Sequence, residues 1–414
     1  MTRRGTGLTV ADLRDAARRR LPRMVFDFVD GGAEDESTLR ENRRGFADVA
    51  FRPRVLVDVR ERPQAVRVLG QDLAMPVILG PTGLARMVGR DGEKAAAVAA
   101  ERFGTVSVVS SGSSVSLEDV AASVAVPQWF QLYPWGDRAT IESLIGRARA
   151  CGYRVMVVTV DVPVVGAREK DLRNGLTVPP RITPRTGWDV LSHPRWLAEL
   201  LRGPKVTFAN FTGLVPRSRG VSGLAAATQG LLNPGHTWAD LAWMAEQWGG
   251  PVLLKGVMTA EDARRAVDVG CAGIAVSNHG GRQADSLPGS LDVLAEIVDA
   301  VGDSADVLLD GGIRRGTDVV KALALGARAC MTGRPWLYGL AAGGTPGVTR
   351  VLEILHGEID RTLALLGRPG VASLDRSAVC VRPGRGWVPV ELSRPTDGGV
   401  GPALCGTADS SLGG

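Results

Sequence analysis

Lysine is nearly absent from this chain. Of the 49 basic residues among 414, only Lys94, Lys170, Lys205, Lys255 and Lys321 are lysines, and the remaining 44 (49 − 5) are arginines. The arginines are scattered among 44 acids, the net charge is +5, and Arg18–Arg20 form a short run on what reads as a solvated helix face. A nucleic-acid protein would carry a basic stripe interleaved with aromatics, so no nucleic-acid partner is expected. The five cysteines (Cys151, Cys271, Cys330, Cys380 and Cys405) are isolated, odd in number and form no CxxC. That excludes a disulfide framework or a zinc site, and it predicts no metal and a reducing cytoplasm. No apolar run approaches the ~20 residues that span a bilayer. The opening MTRRGTGLTVADLRDAARRR has no apolar core of a secretory signal. No histidine occurs before residue 75, so no haem-ligating pair is expected there. No GxGxxG follows a first strand, so a nicotinamide fingerprint is missing as well.

What is present is ordinary globular composition, 44% hydrophobic and 22% charged, with chain enough for a large core. Eight short apolar runs alternate with Ala-rich amphipathic stretches: 75–83, 105–111, 128–134, 154–163, 251–257, 273–281, 306–313 and 329–337. Runs apolar on both faces suit parallel strands covered by helices. Helices are predicted over 91–103, 137–150, 259–269, 290–301 and 315–326, with Asp91, Thr259 and Thr317 as caps. Eight such units predict an α/β fold, a (β/α)8 TIM barrel spanning 75–384. Residues 1–74 are an N-terminal extension expected to hold one or two helices and a hairpin over 65–73. An insertion after the fourth strand (about 164–236) is rich in Pro, Arg and Gly, with mobile parts expected. Its segment 193–203 reads as a lid helix, or as a surface touching a membrane or an electron carrier. Residues 385–414 form a Gly- and Pro-rich tail, expected to be loosely ordered.

Polar residues recur at the C-terminal strand ends: Thr82, Gln131, Thr159, Asp161, Lys255, Ser277, His279 and Asp310. That is the face on which barrel enzymes place their chemistry. His279, one of four histidines, sits in SNHGGRQ with two glycines behind it and is a candidate general base. Arg282 and Arg168 on the same face suit a carboxylate held by forked hydrogen bonds. Asp161 can orient His279, or cap its own turn. Lys255 closes an apolar strand and calls for an anion or electron-rich partner; a Schiff base is the other use of such a lysine. DGGIRRG (310–316) and TGRP (332–335) end the last two strands, where barrels hold phosphate on loop amides and a helix N-terminus. Asp310, Gly311, Gly312, Arg314, Gly333 and Arg334 would form that site.

Taken together, LPRMVFDFVDGGAEDE, FRPRVL, GPTG, FQLYPW, TVDVP with GARE, KGVMTAEDA, SNHGGRQ and DGGIRRGTDVVKALALGARA resemble the FMN-dependent L-2-hydroxy acid oxidase/dehydrogenase family. That family includes glycolate oxidase, L-lactate dehydrogenases and mandelate-oxidising enzymes. The likeness runs from about Leu21 to Leu366, and the insertion is most similar to the lactate-dehydrogenase-like bacterial branch. The resemblance implies FMN held by Pro81, Thr82, Ser110, Gln131, Thr159, Lys255 and Ser277, with Asp310, Gly311, Gly312, Arg314, Gly333 and Arg334 on its ribityl phosphate. It implies His279 as base supported by Asp161, Arg168 and Arg282 on the carboxylate, and Tyr133 on the substrate oxygen. It implies oxygen or an electron carrier as reoxidant, and a homotetramer. Two positions depart from the glycolate-oxidase pattern. Phe28 stands where a tyrosine hydroxyl usually binds the carboxylate, a loss of about 1–3 kcal/mol. Gly112 stands where a bulky aromatic is usual, which enlarges the pocket. Both predict a substrate bulkier than lactate, mandelate-like. The alternatives are an L-lactate dehydrogenase, a decarboxylating hydroxy-acid monooxygenase, another FMN barrel such as an isoprenoid diphosphate isomerase, or an inactive FMN-binding scaffold. The predicted location is cytoplasmic, with peripheral membrane contact.

Overall fold

The computed structural model describes residues 7–175, 183–212 and 232–382, together with the backbone of 388–389. Eight parallel strands form the central sheet: β4 (Val77–Leu79), β5 (Val108–Ser110), β6 (Trp129–Leu132), β7 (Met156–Thr159), β8 (Val252–Val257), β9 (Gly273–Val276), β10 (Asp306–Asp310) and β11 (Ala329–Thr332). Each pairs with its neighbour in sequence, and β11 returns to β4. A parallel bridge between Leu79 and Ser107 closes the ring between β4 and β5. This is the (β/α)8 barrel that the alternating pattern predicts.

Period-two alternation divides each strand between two cores. Ile78, Trp129, Val157, Leu253, Leu308 and Met331 fill the barrel interior, whereas Val77, Phe130, Val158, Leu254 and Leu309 pack outward under the helices. The expected hairpin is β2 (Val66–Val68) with β3 (Gln71–Leu73). Its Val68, Leu69 and Leu73 belong to the interior core, and the Leu69 amide donates to Asp306 at the start of β10 (2.7 Å). The hairpin therefore closes the N-terminal end of the barrel, leaving the C-terminal end for chemistry.

The extension carries three helices rather than one or two: α1 (Val10–Arg20), α2 (Arg23–Asp30) and α3 (Ser37–Ala47). Pro22 separates α1 from α2, and the left-handed Glu36 breaks the chain before α3; the apolar pattern read alone merges such short elements. Strand β1 (Val49–Phe51) pairs antiparallel with β12 (Val379–Val381), so the two ends of the described chain are sewn together.

Two expected caps are replaced. The helix Glu93–Arg102 is preceded by Gly92 rather than Asp91, whose carboxylate accepts from Thr345 (3.2 Å). The helix Gly316–Ala324 starts after Arg315 rather than Thr317, with Asp318 accepting from the Arg314 and Arg315 amides. The last strand is shorter than the 329–337 run because Arg334 opens a helix, Arg334–Gly343, with proline in its first turn.

After β7 the insertion forms α7 (Glu169–Arg173), α8 (Pro184–Leu191) and α9 (Pro194–Arg202), then a short turn at Ala209–Phe211. Thr183 and Thr186 form a capping box that starts α8. The segment 193–203 is the lid helix α9, and its buried Trp196 donates to the Met87 carbonyl (2.8 Å). The stretches expected to be mobile, 178–187 and 214–223, lie outside the described residues except for 183–187, which open α8, and the tail 385–414 lies outside them apart from the backbone of 388–389.

Leu73→Ala should destabilise the protein by about 2–5 kcal/mol, since it truncates a 2%-exposed side chain in the barrel interior. Urea unfolding measures it; a loss below about 1 kcal/mol would show that the hairpin does not close that core.

Candidate active site

A cavity of about 620 Å³ opens at the C-terminal ends of the strands. Phe28, Pro81, Thr82, Gly112, Tyr133, Thr159, Arg168, Lys255, His279, Arg282, Asp310, Gly311, Gly312, Arg314, Gly333 and Arg334 all line it. Ser110, Gln131, Asp161 and Ser277 stand directly behind that wall.

His279 follows β9 with a left-handed backbone (φ 57°), and Gly280 and Gly281 continue it at φ 64° and 72°. Three successive left-handed residues make a turn tight enough to bring the imidazole back over the barrel; only glycine adopts this backbone freely. The turn is braced from the extension, because Asn42 and Asn278 exchange side-chain amide hydrogen bonds (2.8 and 3.0 Å). His279 Nδ1 lies 2.9 Å from Asp161 Oδ1, while Nε2 lies 3.4 Å from the Tyr133 hydroxyl. With Nδ1–H donating to the carboxylate, Nε2 is the nitrogen free to accept a proton. Gly256 (φ 114°) lets Asp161 approach, since a Cβ there would lie 2.8 Å from the aspartate Cβ. Burial raises the Asp161 pKa, but the charge and hydrogen bond of His279, with Lys255, hold it below the ordinary carboxylate value. Asp161 is therefore ionised at neutral pH and accepts the hydrogen bond from His279 Nδ1.

Lys255 is buried at the end of β8 and solves its solvation problem locally. Its Nζ reaches Asp310 Oδ2 (2.7 Å) and Ser277 Oγ (2.8 Å), and Ser277 donates to the same carboxylate (2.7 Å). Burial alone would lower its pKa; Asp310 and Asp161 overcome this and raise it. Behind the wall, Ser110 donates to Gln131 (2.6 Å) and Gln131 to Thr159 (3.0 Å), linking three strand ends. Burial pushes the Tyr133 phenol up to about 12, with Lys255 acting against it, so it is a neutral donor at pH 7.

Arginines dominate the rest. Arg168 and Arg282 lie over the Phe28 ring at 5.7 and 5.1 Å, so the ring supports both guanidiniums by its π face. Arg282 donates to the Phe28 carbonyl (2.6 Å) and the Gly31 carbonyl (3.2 Å), at the C-terminal end of α2. Burial, with Arg168 and Arg334 nearby, pushes the Arg282 pKa down to about 9. Arg334 donates to the carbonyls of Val29, Gly31 and Gly280 (2.8–3.1 Å). Arg314 is buried deeply enough that its pKa falls, and its side chain donates only to Ile313 O (2.7 Å) among the hydrogen bonds found.

Several wall residues went unrecognised in the sequence. Asp171, buried three residues after Arg168, binds its guanidinium (3.2 Å); the i,i+3 spacing was the available signal. Met87, Trp135, Val165, Leu172 and Phe208 form the apolar side of the cavity. Phe208 lies inside the irregular insertion, where no periodicity marks it.

The cationic end fits a phosphorylated cofactor. Gly311 and Gly312 (φ 118° and 76°) leave no room for a side chain, Arg314 carries buried charge, and the wall residues Thr82 and Thr332 hold buried hydroxyls without a protein partner. The fold and site thus define a (β/α)8 barrel whose C-terminal face gathers a histidine–aspartate pair, a buried lysine and four arginines around one cavity.

Comparison with known proteins identifies the cofactor. The chain belongs to the FMN-dependent dehydrogenase family, whose profile matches residues 17–381. It is 41% identical over 376 residues to a peroxisomal (S)-2-hydroxy-acid oxidase of Oryza sativa subsp. japonica, covering 90% of this chain and 95% of the relative. It is 42% identical over 382 residues to an L-lactate oxidase of Nostoc sp. (strain PCC 7120 / SAG 25.82 / UTEX 2576), covering 91% and 99%. Among solved structures, the monotopic membrane protein (S)-mandelate dehydrogenase superposes with a TM-score of 0.87 at 40% identity, covering 90% of this chain and 99% of that one. The protein is an FMN-dependent enzyme of 2-hydroxy acid oxidation.

Thr332→Val should leave the FMN-free protein as stable as before or more so, because it removes a buried hydroxyl that lacks a partner. If that hydroxyl serves the cofactor, FMN affinity falls by about 1–2 kcal/mol, read by quenching of flavin fluorescence. Unchanged affinity would remove Thr332 from the cofactor site.

Proposed function

We propose that the enzyme oxidises an L-2-hydroxy acid bulkier than lactate, of mandelate type, to the 2-oxo acid. The observation that carries this is the pair of guanidiniums packed on the Phe28 ring in the cavity that His279 also lines. Arg168 and Arg282 clamp the substrate carboxylate, and the Tyr133 hydroxyl donates to the substrate oxygen. Oxidation removes two electrons and two protons from the C2–OH unit, and His279 Nε2 takes up a proton while Asp161 stabilises the resulting imidazolium. FMN, when bound, would supply the acceptor for the two electrons and the second proton. Lys255, with Ser277 and Asp310 around it, would offer positive charge to the cofactor as it is reduced. Arg314 and Arg334 would hold the cofactor's phosphate with the Gly311, Gly312 and Gly333 loops. Pro81, Thr82 and Thr159 line the cofactor end, with Ser110 and Gln131 bracing them.

Phenylalanine at 28 supports the preference for an apolar substrate: the ring keeps the arginines in place by π contact but brings no hydroxyl toward a small polar acid. Oxygen or an electron carrier reoxidises the enzyme. Peripheral membrane contact is supported by the insertion, where Trp188, Leu191 and Leu201 are 74%, 64% and 74% exposed beside exposed Arg185, Arg195 and Arg202. No helix among the described residues is long and apolar enough to cross a membrane. Exposed apolar side chains on two consecutive helices that also carry exposed arginines suit an anionic lipid surface.

Two experiments test this. Anaerobic addition of L-mandelate should bleach the flavin at lower concentration than L-lactate, and His279→Gln should retain FMN yet reduce it about 10²–10⁴ times more slowly. Preference for lactate, or a His279→Gln variant of wild-type speed, contradicts the proposal. For the membrane, the protein should co-sediment with anionic phospholipid vesicles, and Trp188→Asp with Leu201→Asp should release it. Equal sedimentation of both proteins would reject that surface.

A further inference from the structure

Gly112 does not leave the cavity open in the way its missing side chain implies. A Cβ built there would meet Phe208 Cε1 at 3.6 Å and Cδ1 at 3.8 Å, so the ring of Phe208 faces this glycine from the insertion. Phe208 lines the cavity and sits edge-on to Trp135, with centroids 6.1 Å apart and planes at 74°. Trp135 in turn stacks on Tyr133 (4.4 Å, 7°), and Tyr133 lies beside His279 (6.3 Å). A continuous series of rings thus runs from the base to Phe208.

The residue holding that ring is Asn210. The turn Ala209–Phe211 is three residues long, so it has no helical ladder to keep its place. Its fixed point is the fully buried Asn210 amide. Nδ2 donates to Ser113 Oγ (2.9 Å), with longer bonds to the carbonyls of Ser111 (3.3 Å) and Ser110 (3.4 Å), while Oδ1 accepts from the Leu117 amide (2.9 Å). The Ala209 amide donates to Ser113 O (3.0 Å), and Arg147 donates to the Asn210 carbonyl (2.7 Å). The Asn210 side chain bonds Ser110, Ser111, Ser113 and Leu117, in the segment that contains Gly112, and its Oδ1 also accepts a longer bond from Arg147 (3.4 Å). One amide therefore registers the insertion against the β5 loop, with Phe208 set opposite the glycine.

We propose that Phe208 is the wall of the substrate side-chain pocket, and that Asn210 is the positioning residue that keeps it there. The aromatic surface missing at position 112 is supplied from the other side of the pocket. A flat ring attached to C2 of a hydroxy acid would then lie between the arginine clamp and Phe208. This rests on the hydroxy-acid reading of the cavity.

The test compares wild-type holoenzyme with Phe208→Ala and Asn210→Asp. The aspartate is isosteric but turns the three donated bonds into oxygen–oxygen contacts. Flavin content per protein is checked first. The ratio of kcat/KM for L-mandelate over L-lactate should fall about tenfold in Phe208→Ala, mainly through KM for mandelate, and in the same direction in Asn210→Asp. In parallel, inert benzoate and acetate are titrated against the flavin spectrum, where the benzoate:acetate affinity ratio should fall likewise. Variants that keep FMN and hold both ratios within about twofold of wild type overturn the proposal. If Asn210→Asp fails to load FMN, Phe208→Ala alone decides. If no hydroxy acid bleaches the wild-type flavin, the functional reading fails, while the carboxylate ratios still report on the wall.

Discussion

Positive charge brought together at one end of a barrel is the constraint on which this structure depends. Lys255, Arg168, Arg282, Arg314 and Arg334 line a single cavity, while the carboxylates on its wall are Asp171 and Asp310. Cations taken out of water are costly unless each finds an anion or an oriented dipole. Lys255 has Asp310 and Arg168 has Asp171, but Arg282 and Arg334 rely on backbone carbonyls from residues 28–31 and 280. The lowered pKa values of Arg282 and Arg314 have burial as their first cause and neighbouring arginines as a further one. In the function proposed above, a phosphate at one end and a carboxylate at the other would complete the balance.

The surrounding architecture follows from that need. The hairpin closes the bottom of the barrel, so the open end is the only wet one on the strand axis. The extension does more than cover the barrel: its second helix ends by offering carbonyls to two arginines, and its third braces the His279 turn through Asn42. The insertion supplies Val165, Leu172 and Phe208 to the apolar side, beside Met87 and Trp135. Each addition to the eight-unit repeat thus touches the site, which ties the fold to its chemistry.

Much of this was legible because barrel chemistry sits at strand ends, where a lysine or aspartate closing an apolar run stands out. Lys255, Asp310 and His279 were visible for that reason, and the paired Gly-rich loops marked the phosphate end. Phe28 was legible as a departure, but its π contact with both arginines was not, since it depends on two distant loops converging. Gly112 was legible as a missing side chain in the cavity wall, but the ring of Phe208 facing it was not, since that ring comes from the irregular insertion. Asp91 and Thr317 had the right chemistry for caps, yet the helices began one or two residues away, where Gly92 and Arg315 met the backbone requirement.

The most direct test of the charge account is a calorimetric titration of the FMN-free protein with FMN and with riboflavin, which lacks the phosphate. If the buried arginines are balanced by that anion, FMN should bind at least about 100-fold more tightly, and added salt should narrow the gap only slightly because the charges are buried. Equal affinity for the two flavins would contradict the account, for then the cationic end would have some other purpose than holding the cofactor's phosphate.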